Sequence, residues 1–174
     1  MLQPILVRVP PLSFSEYKSL NWAFIRKTRK SLFFLLPAVM GFVGFASLLP
    51  TYQKQGFLDS FSIISFLLGA VFVVGFCVFS LNRGIKKNYL NTPALAEGMT
   101  VTLADNSIAL RSTSVSSEHP WPASYKKATR LGEWLLLSSG PASAYFLPIN
   151  GVETPATSAD LWALLRYKEV ALTN

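Results

Sequence analysis

Residues 60–82 read SFSIISFLLGAVFVVGFCVFSLN, twenty-three positions without one Asp, Glu, Lys or Arg. About 20 apolar residues, rising about 1.5 Å each, carry a helix across the hydrocarbon core of a bilayer. A soluble core helix rarely needs such a length, so this stretch decides the class of fold. Residues 31–53, SLFFLLPAVMGFVGFASLLPTYQ, form a second uncharged run of equal length. Only Lys54 to Asp59 lie between them. The two runs are therefore expected to be transmembrane helices over 31–53 and 60–82, closed into an antiparallel hairpin by an external loop over 54–59.

Composition agrees with a membrane protein. Of 174 residues, 51% are hydrophobic and 14% charged, against about 25% charged in soluble domains. A single cysteine excludes a disulfide framework and a cysteine-based zinc site, and a single histidine excludes a His–His metal pair. A cleaved leader is not expected, because some thirty residues precede the first run and no small-x-small cleavage signal follows it.

The net charge of +7 does not mark a nucleic-acid binder. Residues 1–87 hold ten Lys/Arg and two acids, and residues 88–174 hold six Lys/Arg and seven acids. The basic excess thus flanks the apolar runs instead of lying on a folded domain. Arg26, Lys27, Arg29 and Lys30 precede the first run; Arg83, Lys86 and Lys87 follow the second; the connector offers only Lys54. Lys/Arg excess marks the cytoplasmic side. Both termini are expected in the cytoplasm of a bacterium, in a multi-pass inner-membrane protein whose basic clusters meet anionic lipid headgroups.

Within the runs, Pro37 is tolerated as a kink. Gly41, Gly44, Ser65 and Gly69 are small residues that permit close helix approach, within the hairpin or between copies of the chain. Cys77 reads as a small apolar filler. The absence of charged residues from both runs argues against a proton path, a channel or a coupled transporter.

The flanking segments read as soluble structure. In residues 1–30, Ile5 to Val9 predicts a strand, stopped by Pro10-Pro11, and Ser13 or Ser15 can cap a helix with Glu16 in its first turn. That helix runs toward the first span, with Trp22 suited to the interface. Residues 83–94 read as a basic linker. In 95–174, strands are expected at Met99–Leu103, Ser107–Ser112, Tyr125–Arg130, Trp134–Ser138 and Ala144–Pro148. A helix capped by Ser158 follows to about Leu172, with Leu161, Leu164, Leu165 and Leu172 near one face. The expected fold is a two-helix hairpin plus a small cytoplasmic α+β domain, an antiparallel sheet with one C-terminal helix. The N-terminal strand can add an edge to that sheet.

Three segments carry a family resemblance: Leu6-Val7-Arg8-Val9 with Ser15-Glu16-Tyr17, Trp121 to Ala128 (WPASYKKA), and Tyr145-Phe146-Leu147-Pro148. With the order of parts, they resemble the YcxB-like bacterial membrane proteins. Ile149 and Asn150 stand where that family often has Lys or Arg. The resemblance implies a β-rich tail similar to pleckstrin-homology-like domains.

Catalysis finds little support. His119 is the only imidazole, no Gly-x-Ser-x-Gly or phosphate-cradling glycine motif is present, and Asp105 beside Asn106 is turn chemistry. Lys126, Lys127 and Arg130 read as a small basic group, either a solvated strand face or a contact for headgroups or an acidic partner. Trp121, Trp134 and Trp162 suit a small core, and an exposed Trp121 would suit a partner contact. The expected function is binding, without enzyme activity or cofactor, to a protein partner or the membrane surface. The alternatives are an immunity protein neutralising a toxin at the inner membrane, and a membrane-anchored enzyme subunit completed by a partner.

Overall fold

The computed structural model describes residues 3–28, 38–39, 41–44, 46, 49, 52–53, 60–121, 127–138 and 144–173. The described residues fall into two compact units, one of 1–20 with 88–174 and one of 21–87.

The first unit is built on hairpins. Strand β1 (Ile5–Val9) pairs antiparallel with β2 (Met99–Leu103), placing Val7 opposite Val101. Strand β3 (Ser107–Arg111) and β4 (Ser116–Pro120) extend this sheet in the order β1-β2-β3-β4. A second sheet has the order β7-β6-β5-β8, from β5 (Lys127–Leu131), β6 (Trp134–Ser138), β7 (Ala144–Pro148) and β8 (Ala171–Thr173). The expected single antiparallel sheet is therefore two sheets, and the pairing of β5 with β8 is parallel.

Alternation explains the first sheet. In β1 the side chains of Ile5, Val7 and Val9 are buried while Leu6 and Arg8 face outward, the period-two signature of a strand with one covered face. In β6, Leu135, Leu136 and Leu137 are all buried, so both faces of the second sheet are covered there. Gly132 (φ +59) opens the two-residue β5–β6 turn, where a type II′ hairpin turn needs positive φ.

The N-terminal strand does more than add an edge. Val7 forms an antiparallel bridge with Val152, and the Glu153 N–H donates to Leu6 O at 2.8 Å. The chain leaving β7 therefore returns along the second side of β1. Gly151 allows this approach, since a Cβ there would run into the Arg8 carbonyl oxygen.

Two helices of this unit begin with the same device. Helix α1 (Phe14–Thr28) follows Ser13, whose Oγ accepts from the Glu16 N–H while Glu16 accepts from the Ser13 N–H. The C-terminal helix α4 (Ser158–Tyr167) is capped the same way by Thr157 and Asp160. Both carboxyls are held below the usual carboxylate range by hydrogen bonds from the cap side chain and backbone. Thr157, not Ser158, is the cap, because a capping box needs its acid three residues on. Helix α4 ends at Tyr167, short of the expected Leu172. Glu169 adopts φ +54, its N–H reaches Arg166 O, and the Val170 N–H reaches Leu165 O. This is a Schellman stop with Glu where glycine is usual. Leu161, Leu164 and Leu165 are buried, whereas Leu172 is 38% exposed on β8.

In the second unit, helix α2 (Ser60–Leu90) includes the expected second span. Its final residues, 88–90, belong to the first unit. Its helical backbone continues past Asn82, so residues 83–90 of the expected linker are helix, and a short helix α3 (Pro93–Glu97) takes up its last two residues. Among the described residues, Ile63–Leu90 is the one helix long and apolar enough to cross a membrane. Its most apolar window has mean hydropathy 2.6 and none of it is buried. Phe61 is 77% and Phe72 74% exposed, which separates α2 from the core helix of a soluble domain. The described residues of the first run are helical at 38–39, 41–44, 46, 49 and 52–53. Gly44 is buried, and a Cβ there would overlap the Phe66 ring. Among the described residues nothing would meet a Cβ at Gly41 or Gly69, so of these small residues Gly44 marks the close approach. Trp22 Nε1 donates to Asn82 Oδ1 at 3.1 Å, tying the middle of α1 to α2. The 54–59 loop and Pro37 lie outside the described residues.

Candidate functional site

The residues singled out from sequence do not converge. Trp121 is half-buried just after β4; its N–H donates to Asn106 O at 2.9 Å and its indole N–H to Ala104 O. It pins the β2–β3 turn, beside the Asp105–Lys168 ion pair of 2.6 Å. None of Trp121, Trp134 and Trp162 is fully buried; the core is mainly aliphatic. Lys127 and Arg130 are both exposed on β5. Three residues apart on a strand, they point to opposite faces, so the expected basic group is divided. Arg130 Nε donates to Gly132 O at 3.2 Å. Lys126 lies outside the described residues. His119 is exposed on β4 opposite Ile108, and no group of three His, Cys, Asp or Glu among the described residues could hold a metal.

The flanking cations lie in helix ends. Arg26 and Lys27 fall in the last turn of α1, and Arg83, Lys86 and Lys87 stand exposed near the end of α2. Arg29 and Lys30 lie outside the described residues.

Within the first unit, a cleft of about 640 Å³ opens where the sequence suggested nothing. Its floor is the buried face of the first sheet, with Met99 and Leu110, joined by Phe146 of β7. Its mouth includes Asn88, Asn91 and Thr92, all exposed, from the end of α2 to the start of α3. Tyr17 forms part of the wall, edge-on to Phe146 at 5.5 Å between centroids. Its ring also meets Tyr89 at 5.6 Å, and Tyr89 donates its hydroxyl to Leu12 O at 2.8 Å. The rim is fastened by Glu97, whose carboxylate accepts from the Ser114 N–H at 3.0 Å and hydroxyl at 2.8 Å. These contacts hold the β3–β4 turn against α3 without placing Glu97 in the cleft lining.

None of the fifteen lining residues is Asp, Glu, Lys, Arg or His. Among the described residues the cleft therefore offers apolar surface, amides and hydroxyls, and no general acid–base pair. Comparison with family models, curated proteins and solved structures gives no match.

Proposed function

We propose that this chain is an inner-membrane protein that acts by binding. A two-span hairpin anchors it, both termini lie in the cytoplasm, and the two-sheet domain engages a protein partner or the membrane surface. The carrying observation is helix α2. Its apolar window has no buried part, and the same helix continues through Arg83, Lys86 and Lys87 into the tail. Lipid is the solvent that such a surface requires, and the basic residues suit the cytoplasmic interface. The Gly44–Phe66 approach supports an antiparallel partner for α2. The resemblance to YcxB-like proteins belongs to the same proposal and rests on the quoted segments and the order of parts.

Cysteines at positions 56 and 140, in a Cys77→Ser background, test the topology with an impermeant maleimide. Position 56 should label in intact spheroplasts and position 140 only after lysis. Labelling at 140 but not 56 would reverse the assignment. Co-purification from native membranes, with His119→Ala retaining the recovered partner, tests binding against a histidine-dependent reaction.

A further inference from the structure

We infer that the cleft between the first sheet and β7 binds a neutral amphiphile, a molecule with a hydroxyl- or amide-bearing head and an apolar tail. This goes beyond the proposed anchoring and partner binding, and it rests on the cleft alone. The volume of about 640 Å³ falls in the range of small-molecule sites, roughly 300–1,000 Å³.

The lining is graded from mouth to floor. Met99, Leu110 and Phe146 are buried and wholly apolar, whereas Asn88, Asn91 and Thr92 are exposed and polar. A tail placed on the floor removes apolar surface from water. A head at the mouth meets amide and hydroxyl groups that both donate and accept. Ser117 sits opposite Leu110 on β4, adding a hydroxyl part-way down.

The sign of the head group follows from what the lining lacks. A carboxylate, phosphate or ammonium group drawn below the mouth would lose water without meeting an opposite charge among the described lining residues. A neutral hydroxyl or amide exchanges its water for equivalent partners. The cleft thus discriminates against ionised analogues of the same chain length.

The test uses the full chain in phosphatidylcholine nanodiscs. The probe is a glycerol monoester whose octyl-length chain carries a diazirine; a fatty acid and an alkylamine with the same chain are the charged controls. After irradiation, peptides containing Met99, Leu110 or Phe146 are quantified by mass spectrometry. The monoester should label them about tenfold more than either charged probe at equal free concentration. Ser117→Trp, which fills the middle of the cleft, should abolish labelling, and Val115→Trp at its rim should reduce it. Both variants are compared at temperatures where their melting curves show the tail folded. Equal or stronger labelling by a charged probe, no labelling of these peptides, or labelling unchanged in both folded variants would overturn the inference. A reversed topology would leave the cleft labelling intact, so the two proposals fail separately.

Discussion

Replacing Val7 by Ala tests whether the N-terminal strand holds the two sheets of the tail together. Val7 is 0% exposed, opposite Val101 and bridged to Val152, whereas Leu6, its neighbour, is 37% exposed on the other face. Val7→Ala removes two carbons at about 0.8 kcal/mol each, and the unfilled space raises the loss to about 2–3 kcal/mol. For a tail of this size that corresponds to a fall in melting temperature of roughly 10 °C or more. Leu6→Ala removes more atoms but from an outward position, and should cost under about 1 kcal/mol. Both variants keep the Leu6 carbonyl that receives the Glu153 N–H, so the comparison isolates side-chain burial. Thermal melting of the full chain, with hydrogen exchange in peptides covering 99–103 and 150–153, reads the effect. Val7→Ala should speed exchange in both peptides although they are far apart in sequence. Equal melting of the two variants, or faster exchange in one peptide alone, would refute the role of β1 as the shared strand.

Other perturbations reach different parts of the molecule. Thr129 is fully buried and its hydroxyl has no hydrogen-bond partner among the described residues, so Thr129→Val should raise stability by about 1 kcal/mol, read as a higher melting temperature. Glu169→Gly should also stabilise, by about 1 kcal/mol, because glycine adopts the positive φ at the end of α4 without steric cost. Glu16 and Asp160 have depressed values when folded, so their contribution is complete above the unfolded-state values and is lost as pH falls through the folded-state ones. Acid titration should therefore loosen the starts of α1 and α4, and a Ser13→Ala, Thr157→Ala double variant should flatten that dependence in circular dichroism. Because Lys127 and Arg130 face opposite ways, only one of Lys127→Glu and Arg130→Glu should weaken sedimentation of the folded protein's partner, at equal protein abundance.

The parts of the fold legible beforehand were those with a strong period or a local signal. Ile5–Val9 alternates, which makes it legible as a strand able to add an edge to the tail's sheet, and it pairs with Met99–Leu103. Ser13 with Glu16 announced the start of α1. Strand β4 escaped notice because Ser116-Ser117-Glu118-His119-Pro120 contains no strand former; neighbouring β3 supplies its register instead. The end of α4 was unreadable for a similar reason. Neither glycine nor proline marks it, and Glu169 is forced into a conformation its type disfavours by the packing of Val170 and the return of β8 to β5. The bridge of Val7 to Val152, which joins the first sheet to the chain leaving β7, is a contact across most of the chain that no local pattern encodes.

The candidate site separates in the same way, and the physical reason bears on where function is sought. Charge is visible in a sequence, so Lys126, Lys127 and Arg130 drew attention; strand geometry then sends Lys127 and Arg130 to opposite faces. The described lining of the cleft has no charge to advertise it. Its floor residues, Met99, Leu110 and Phe146, look like any other core positions, and its mouth, Asn88, Asn91 and Thr92, looks like a helix end followed by a cap. A cavity whose described lining carries no charge favours neutral ligands, because the polar groups they bring are matched and no ion must be stripped of water. The functional chemistry of this tail is therefore better sought in its uncharged interior than in its scattered surface cations.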